Sequence, residues 1–297
     1  MFVRGSTIAD PRFMLRLRRS ALFVLLVPAA CAAPARVDDA PDSTEAAISS
    51  ADTPCDGDWS QIGAGVSYKA TGKGDAVFIG FAGYSVQSKW SCDWVDALQA
   101  ARLDGLGVGH VIAVKGPRDA SYRGGEIENS MLAKRLVADL AGAAPFILVA
   151  AHSSGSYVAH ELLHELHGAS SLDPDGLTRG KIVYANLDGG GTGFDASIAA
   201  DLKKAAFVYA TDPTLRSGSS ANAGSIQAEA ATYGTKAIGI TSANSGCNSG
   251  AKWCLHDLLV TTKPHNPAAY DLAHDYTDFT NRPVQTAWID ALTPDLR

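Results

Sequence analysis

The chain has 297 residues, of which 46% are hydrophobic and 19% charged, with a formal net charge of −6. That length buries a substantial core and suits one α/β domain better than two small ones. Five arginines against Asp10 give the first 30 residues a charge of +4 and leave −10 for the rest, with no Lys/Arg run. This balance argues against nucleic acid or an anionic membrane surface as a partner.

In chain order, residues 1–31 read as an export signal: an arginine-bearing stretch, then the apolar run from Ala21 to Ala30, then Cys31. The run is too short to anchor the chain across a bilayer. Cys31 is similar to a lipoprotein attachment cysteine, which would hold the protein at a membrane through lipid, although Pro28 stands where such signals usually carry Leu or Val. Ordinary cleavage among Ala30, Cys31, Ala32 and Ala33 is the competing reading. Residues 32–59, rich in Ala, Pro, Asp and Ser, read as a flexible linker. Residues 60–297 read as a single domain.

Within that domain strands and helices alternate. Short apolar runs at Ala76–Ile79, Val111–Val114, Phe146–Ala150, Lys181–Ala185, Ala205–Tyr209 and Lys236–Ile240 predict strands. Helical spacing predicts helices over Trp90–Leu103, Met131–Leu140, Tyr157–Leu166 and Ala221–Tyr233, and again after Pro267. Buried strands alternating with helices imply an α/β fold: a mostly parallel central sheet with helices on both faces. No inserted block is long enough for a lid domain.

The chemistry concentrates where the Phe146–Ala150 strand meets the next helix, at Ala151, His152, Ser153, Ser154 and Gly155. A serine on a tight strand-to-helix turn needs small residues two before and two after it, so that strand and helix can approach. Ala151 and Gly155 meet that need around Ser153, whereas Ser154 would be flanked by the bulky His152. The stretch resembles the nucleophile elbow of the α/β-hydrolase superfamily, with Ala in place of the first Gly. The resemblance covers roughly residues 75–295 in element order. It implies ester, thioester or amide cleavage through an acyl-enzyme, with no metal or organic cofactor and a small-molecule or acyl ester substrate.

A serine hydroxyl needs a base, and the superfamily order is Ser, acid, His. His256, His265 and His274 lie far enough downstream, and His256 is favoured because it follows the last strand and sits beside Cys254. Two acids stay open. Asp188 ends the Lys181–Ala185 strand ahead of three glycines, while Asp212 occupies the commoner position after Ala205–Tyr209 but precedes Pro213, as a turn starter would. Asp188 is preferred, with Asp212 as the alternative acid. The oxyanion needs two backbone amides. Ser154 would give one, and Phe81 or Ala82, in the glycine-rich loop after Ala76–Ile79, the other.

With Cys31 set aside, Cys55, Cys92, Cys247 and Cys254 remain, an even number that suggests disulfides in an exported chain. The short separation of Cys247 and Cys254 favours that pair and leaves Cys55 to Cys92. A rival motif is His160-Glu161-Leu162-Leu163-His164, the zinc-peptidase pattern in which two histidines one helical turn apart bind metal. Its third ligand is missing: no glutamate lies between Glu165 and Glu229, and position 170 is Ser. A non-catalytic binding protein on the same fold is the remaining alternative.

Overall fold

The computed structural model describes residues 52–118, 127–167, 172–242, 245, 247, 252–260 and 283–296. The export signal, Cys31, His265 and His274 lie outside them. Eight strands run in chain order: β1 (Ser60–Gly63), β2 (Val66–Ala70), β3 (Ala76–Phe81), β4 (Val108–Val114), β5 (Ile147–His152), β6 (Ile182–Leu187), β7 (Lys204–Thr211) and β8 (Lys236–Thr241). The helices are α1 (Ser88–Leu98), α2 (Asn129–Arg135), α3 (Gly155–Leu166), α4 (Ala196–Asp201), α5 (Ala223–Thr232), α6 (Lys252–Asp257) and α7 (Pro283–Leu296).

The strands form one sheet in the order β1-β2-β4-β3-β5-β6-β7-β8. β1 and β2 pair antiparallel, β2 pairs antiparallel with β4, and every pairing from β4 through β8 is parallel. β3 and β5 are buried along their whole length, because both sheet faces are covered. On one face Phe78, Leu148, Ala185 and Val208 pack against Trp94 and Leu98 of α1 and Trp288 and Ile289 of α7. On the other, Ile79, Val149, Tyr184 and Phe207 pack against Leu132 of α2, Val158 and Leu162 of α3, and Ile226 of α5.

Two readings of the chain are corrected. The hairpin β1–β2 precedes the first expected strand; its exposed or half-buried Ser60, Gln61 and Lys69 give no apolar run to find. The linker read over residues 32–59 is anchored in its last part. Cys55 is bonded to Cys92, Asp52 accepts hydrogen bonds from the Ser88 amide and hydroxyl at 2.9 and 2.6 Å, and the Trp59 indole donates to Asp96 at 3.0 Å.

The strand order sets where a site can form. The chain leaves β3 for β4 on one side, crosses back to β5 on the other, and then continues outward through β8. A crevice opens at the carboxyl ends of strands where the order reverses, here at the neighbours β3 and β5. The loop after β3 and the turn after β5 are in direct contact there: a methyl on Gly155 would run into the carbonyl oxygens of Phe81 and Ala82. Gly155→Ala is therefore expected to destabilise the fold by about 1–3 kcal/mol, the usual cost of overpacking. Urea denaturation reads this as a lower midpoint at unchanged slope.

Candidate active site

Ser153 stands immediately after β5 with φ 55°, in the left-handed region that L-residues avoid, while Ser154 is helical at φ −65°. Its amide donates to the Leu187 carbonyl at 3.2 Å, tying the turn to the end of β6. Ser153 is half-buried, whereas Ser154 is buried and its hydroxyl has no hydrogen-bond partner. Of the two serines, only Ser153 sits on the strained turn.

The fold is that of the α/β-hydrolases. Its sheet order, the antiparallel second strand and the sharp serine turn after β5 leading into α3 together define it.

Asp188 follows β6, also with positive φ, at 51°. Each of its polar groups is engaged. Its amide donates to Val208 at 2.7 Å, and its carbonyl accepts from the Asn222 side chain at 2.7 Å. One carboxylate oxygen accepts from the Ser220 hydroxyl at 2.6 Å. The other accepts from Nδ1 of His256 at 2.6 Å, with 2% of the His side chain and none of the Asp side chain exposed. Burial pulls the His256 imidazolium down, but the hydrogen bond and charge of Asp188, with the charge of Asp257, outweigh it, so its pKa lies above the ordinary 6.5.

Asp212 is committed elsewhere. It accepts from the Thr214 amide and hydroxyl at 2.8 and 2.6 Å and from the Ser245 amide at 2.9 Å. Hydrogen bonds from Ser245 and Thr214 hold its carboxyl far below the usual range. It organises a turn, and His256 lies on Asp188. The three glycines after Asp188 pack closely against α3 and α5. Side chains there would meet the Ser153 carbonyl and Ser156 (from Gly189), the Tyr157 hydroxyl (from Gly190) and the Glu229 carboxylate (from Gly191).

His256 sits on α6 beside Cys254, which is bonded to Cys247. Its backbone is tied to the elbow by His152, a residue the sequence frames only as too bulky to flank a nucleophile. Nε2 of His152 donates to the His256 carbonyl at 3.2 Å, and the two rings lie 4.5 Å apart. Asp257, fully buried, joins them in a cluster whose ligand-type atoms lie within 4.8 Å of one another. Burial pushes Asp257 up to about 7, against the charge of His256 and with that of Asp188.

The amide of Ser154 lies at the start of α3, where helical N–H groups lack intrahelical partners. The second expected donor is displaced. The Ala82 amide donates to Val114 at 3.0 Å, and the Val77 amide donates to Phe146 at 3.2 Å, a register that turns the Phe81 amide toward β5. Both are spent on the sheet.

The zinc pattern is occupied by other work. Nδ1 of His160 donates to the Thr192 carbonyl at 2.9 Å, which leaves Nε2 to accept from the Tyr184 hydroxyl at 2.8 Å. Burial, opposed by the Thr192 carbonyl and reinforced by His164, pushes His160 down to about 4. Nε2 of His164 lies 2.8 Å from the Gly193 carbonyl. The Nε2 lone pair of His160 is thus engaged by the Tyr184 hydroxyl.

No protein-family model matches the sequence, and no curated protein matches it. Among solved structures, the chain is similar to a sugar hydrolase from Lactococcus lactis at 11% identity and a TM-score of 0.40, covering 78% of this chain and 95% of that one. It is also similar to a truncated carbohydrate esterase from gut microbiota at 11% identity and a TM-score of 0.44, covering 82% and 99%.

The two aspartates separate by experiment. Replacing a triad acid leaves the imidazole in the wrong tautomer and lowers kcat far more than it raises KM. In folded proteins, Asp188→Asn is expected to lower kcat by about 10³–10⁴, and Asp212→Asn by no more than about tenfold. The base must be neutral to act, so wild-type kcat/KM is expected to fall as pH drops through a value above 6.5. In Asp188→Asn the raising hydrogen bond and charge are lost, and that acid limb moves to lower pH.

Proposed function

We propose that the chain is an exported serine hydrolase that cleaves ester bonds, with thioesters and amides open to the same chemistry, through an acyl-enzyme on Ser153. The observation that carries this reading is a buried His256–Asp188 pair hydrogen-bonded at 2.6 Å, with His256 held against His152, the residue before a serine on a strained turn. Backbone strain costs about 1–3 kcal/mol per residue and persists where surrounding structure enforces it, most often at functional sites. A surface serine at a helix start has no need of it.

In this mechanism Nε2 of His256 takes the Ser153 proton as Oγ attacks the acyl carbon. The resulting oxyanion is met by the amide of Ser154 and by a second backbone amide from the loop after β3. Asp188 keeps the proton on Nδ1, so Nε2 faces the serine as a base, and it steadies the imidazolium. The imidazolium then protonates the leaving alcohol. Water, activated by the same nitrogen, attacks the acyl-enzyme and regenerates Ser153.

Export is supported by the two disulfides, Cys55–Cys92 and Cys247–Cys254, which persist in oxidising compartments. No helix among the described residues is long and apolar enough to cross a membrane. Attachment to a membrane through lipid at Cys31 belongs to the same proposal. Only α4 is interposed between β6 and β7, so nothing the size of a lid domain is inserted there.

The test is hydrolysis of short acyl p-nitrophenyl esters. Ser153→Ala is expected to lose kcat by about 10⁴–10⁶, while Ser154→Ala retains appreciable turnover because its contribution is a main-chain amide. Equal loss in both variants would move the nucleophile off Ser153. Stoichiometric zinc whose removal stops turnover would instead favour the peptidase pattern at His160 and His164.

A further inference from the structure

One large apolar side chain near the site is unused by the mechanism. Trp253 is 43% exposed, and Met131 is the other exposed large hydrophobic among the described residues. Trp253 stands three residues before His256 on α6, a spacing that puts both side chains on one helix face. The indole meets the His256 imidazole edge to face, with ring centroids 5.1 Å apart and planes at 84°. The neighbouring Cys254 is bonded to Cys247, which pins the start of this short helix. The ring is therefore exposed yet held in place, a combination typical of recognition surfaces: large contact area at little cost in conformational freedom.

Position relative to the base decides which part of a substrate meets it. Asp188 holds the Nδ1 edge of His256, and the His152 ring packs against the imidazole at 4.5 Å. Trp253 is the exposed ring that adjoins the imidazole. A general acid must lie within hydrogen-bond reach of the oxygen it protonates, so the leaving alcohol has to sit against the imidazole. The acyl oxygen, by contrast, is met by backbone amides, which the indole does not supply.

We propose that Trp253 is the wall on which the leaving alcohol of the substrate packs, and that the enzyme prefers esters of alcohols carrying a flat apolar ring. This rests on the serine-hydrolase reading of Ser153. Stacking on the indole stabilises acylation, the step in which the alcohol is still present, and leaves hydrolysis of the acyl-enzyme untouched.

The experiment compares benzyl acetate with ethyl acetate, two esters that share an acyl group, in wild type, Trp253→Ala and Trp253→Phe. Ring stacking is worth about a 2- to 10-fold preference. The ratio of kcat/KM for benzyl over ethyl acetate is expected to fall by that factor in Trp253→Ala and to be largely kept in Trp253→Phe. The ratio of ethyl butyrate to ethyl acetate is expected to stay at its wild-type value in both. An equal loss for both alcohols would make the indole a mere support for His256 and overturn the proposal. A change that follows the acyl chain would place it on the acyl side and overturn it too. If the wild type cleaves no ester and Ser153→Ala changes nothing, the hydrolase reading itself fails, a result distinct from either.

Discussion

The hydrogen bond from His256 to Asp188, 2.6 Å long and withdrawn from water, sets demands that the surrounding loops meet. Removing one partner of a buried pair typically costs about 3–5 kcal/mol, because it strands the other charge. Such a pair persists only when its remaining polar atoms are satisfied. Ser220 covers the second oxygen of Asp188, Asn222 its carbonyl, and Val208 its amide. The β7–α5 connection is thereby drawn over the end of β6. From the other side His152, the residue before Ser153, holds the backbone of His256. Four segments distant in sequence are locked by one hydrogen bond and its supporting bonds.

Strain follows the same map. Among the described residues, the three non-glycine residues with positive φ are Ser85, Ser153 and Asp188, in the loops that follow β3, β5 and β6. All three lie at the carboxyl end of the sheet, where the strand order opens a crevice. A cleft lined by Leu163, His167, Ile182 and Asp201 lies at the opposite end of β6 and takes no part in this arrangement. A second buried network, joining His160, Tyr184 and the Thr192 carbonyl, braces α3 against the loop after β6. The zinc-like spacing of His160 and His164 is thus a feature of packing, with both histidines reaching carbonyls of the Thr192–Gly193 turn.

Much of the sheet was legible because β3 through β7 are short apolar runs buried on both faces. β1 and β2 were not, since the start of the sheet leaves polar side chains in water. The serine turn was legible because its requirement for small neighbours is local. The choice between Asp188 and Asp212 was open because each ends a strand. What separates them is non-local: Ser245 and Thr214 occupy one carboxylate, and α6 brings His256 to the other. Likewise the glycine-rich loop after β3 was legible as a loop, but which of its amides the sheet consumes depends on register, and Ala82 is spent on Val114. Trp253, Ser220 and His152 carry no motif; their roles appear only once the loops are folded together.

The most direct measurement is labelling of the full-length protein with a fluorophosphonate probe, followed by peptide mapping of the adduct. The reagent reacts with a serine only where a base and oxyanion donors already surround it, so it tests the assembled site apart from any choice of substrate. A single adduct on Ser153, formed far more slowly when Asp188 is replaced by Asn, is the expected result. An adduct on Ser154, or a folded protein that takes up no probe, would contradict it.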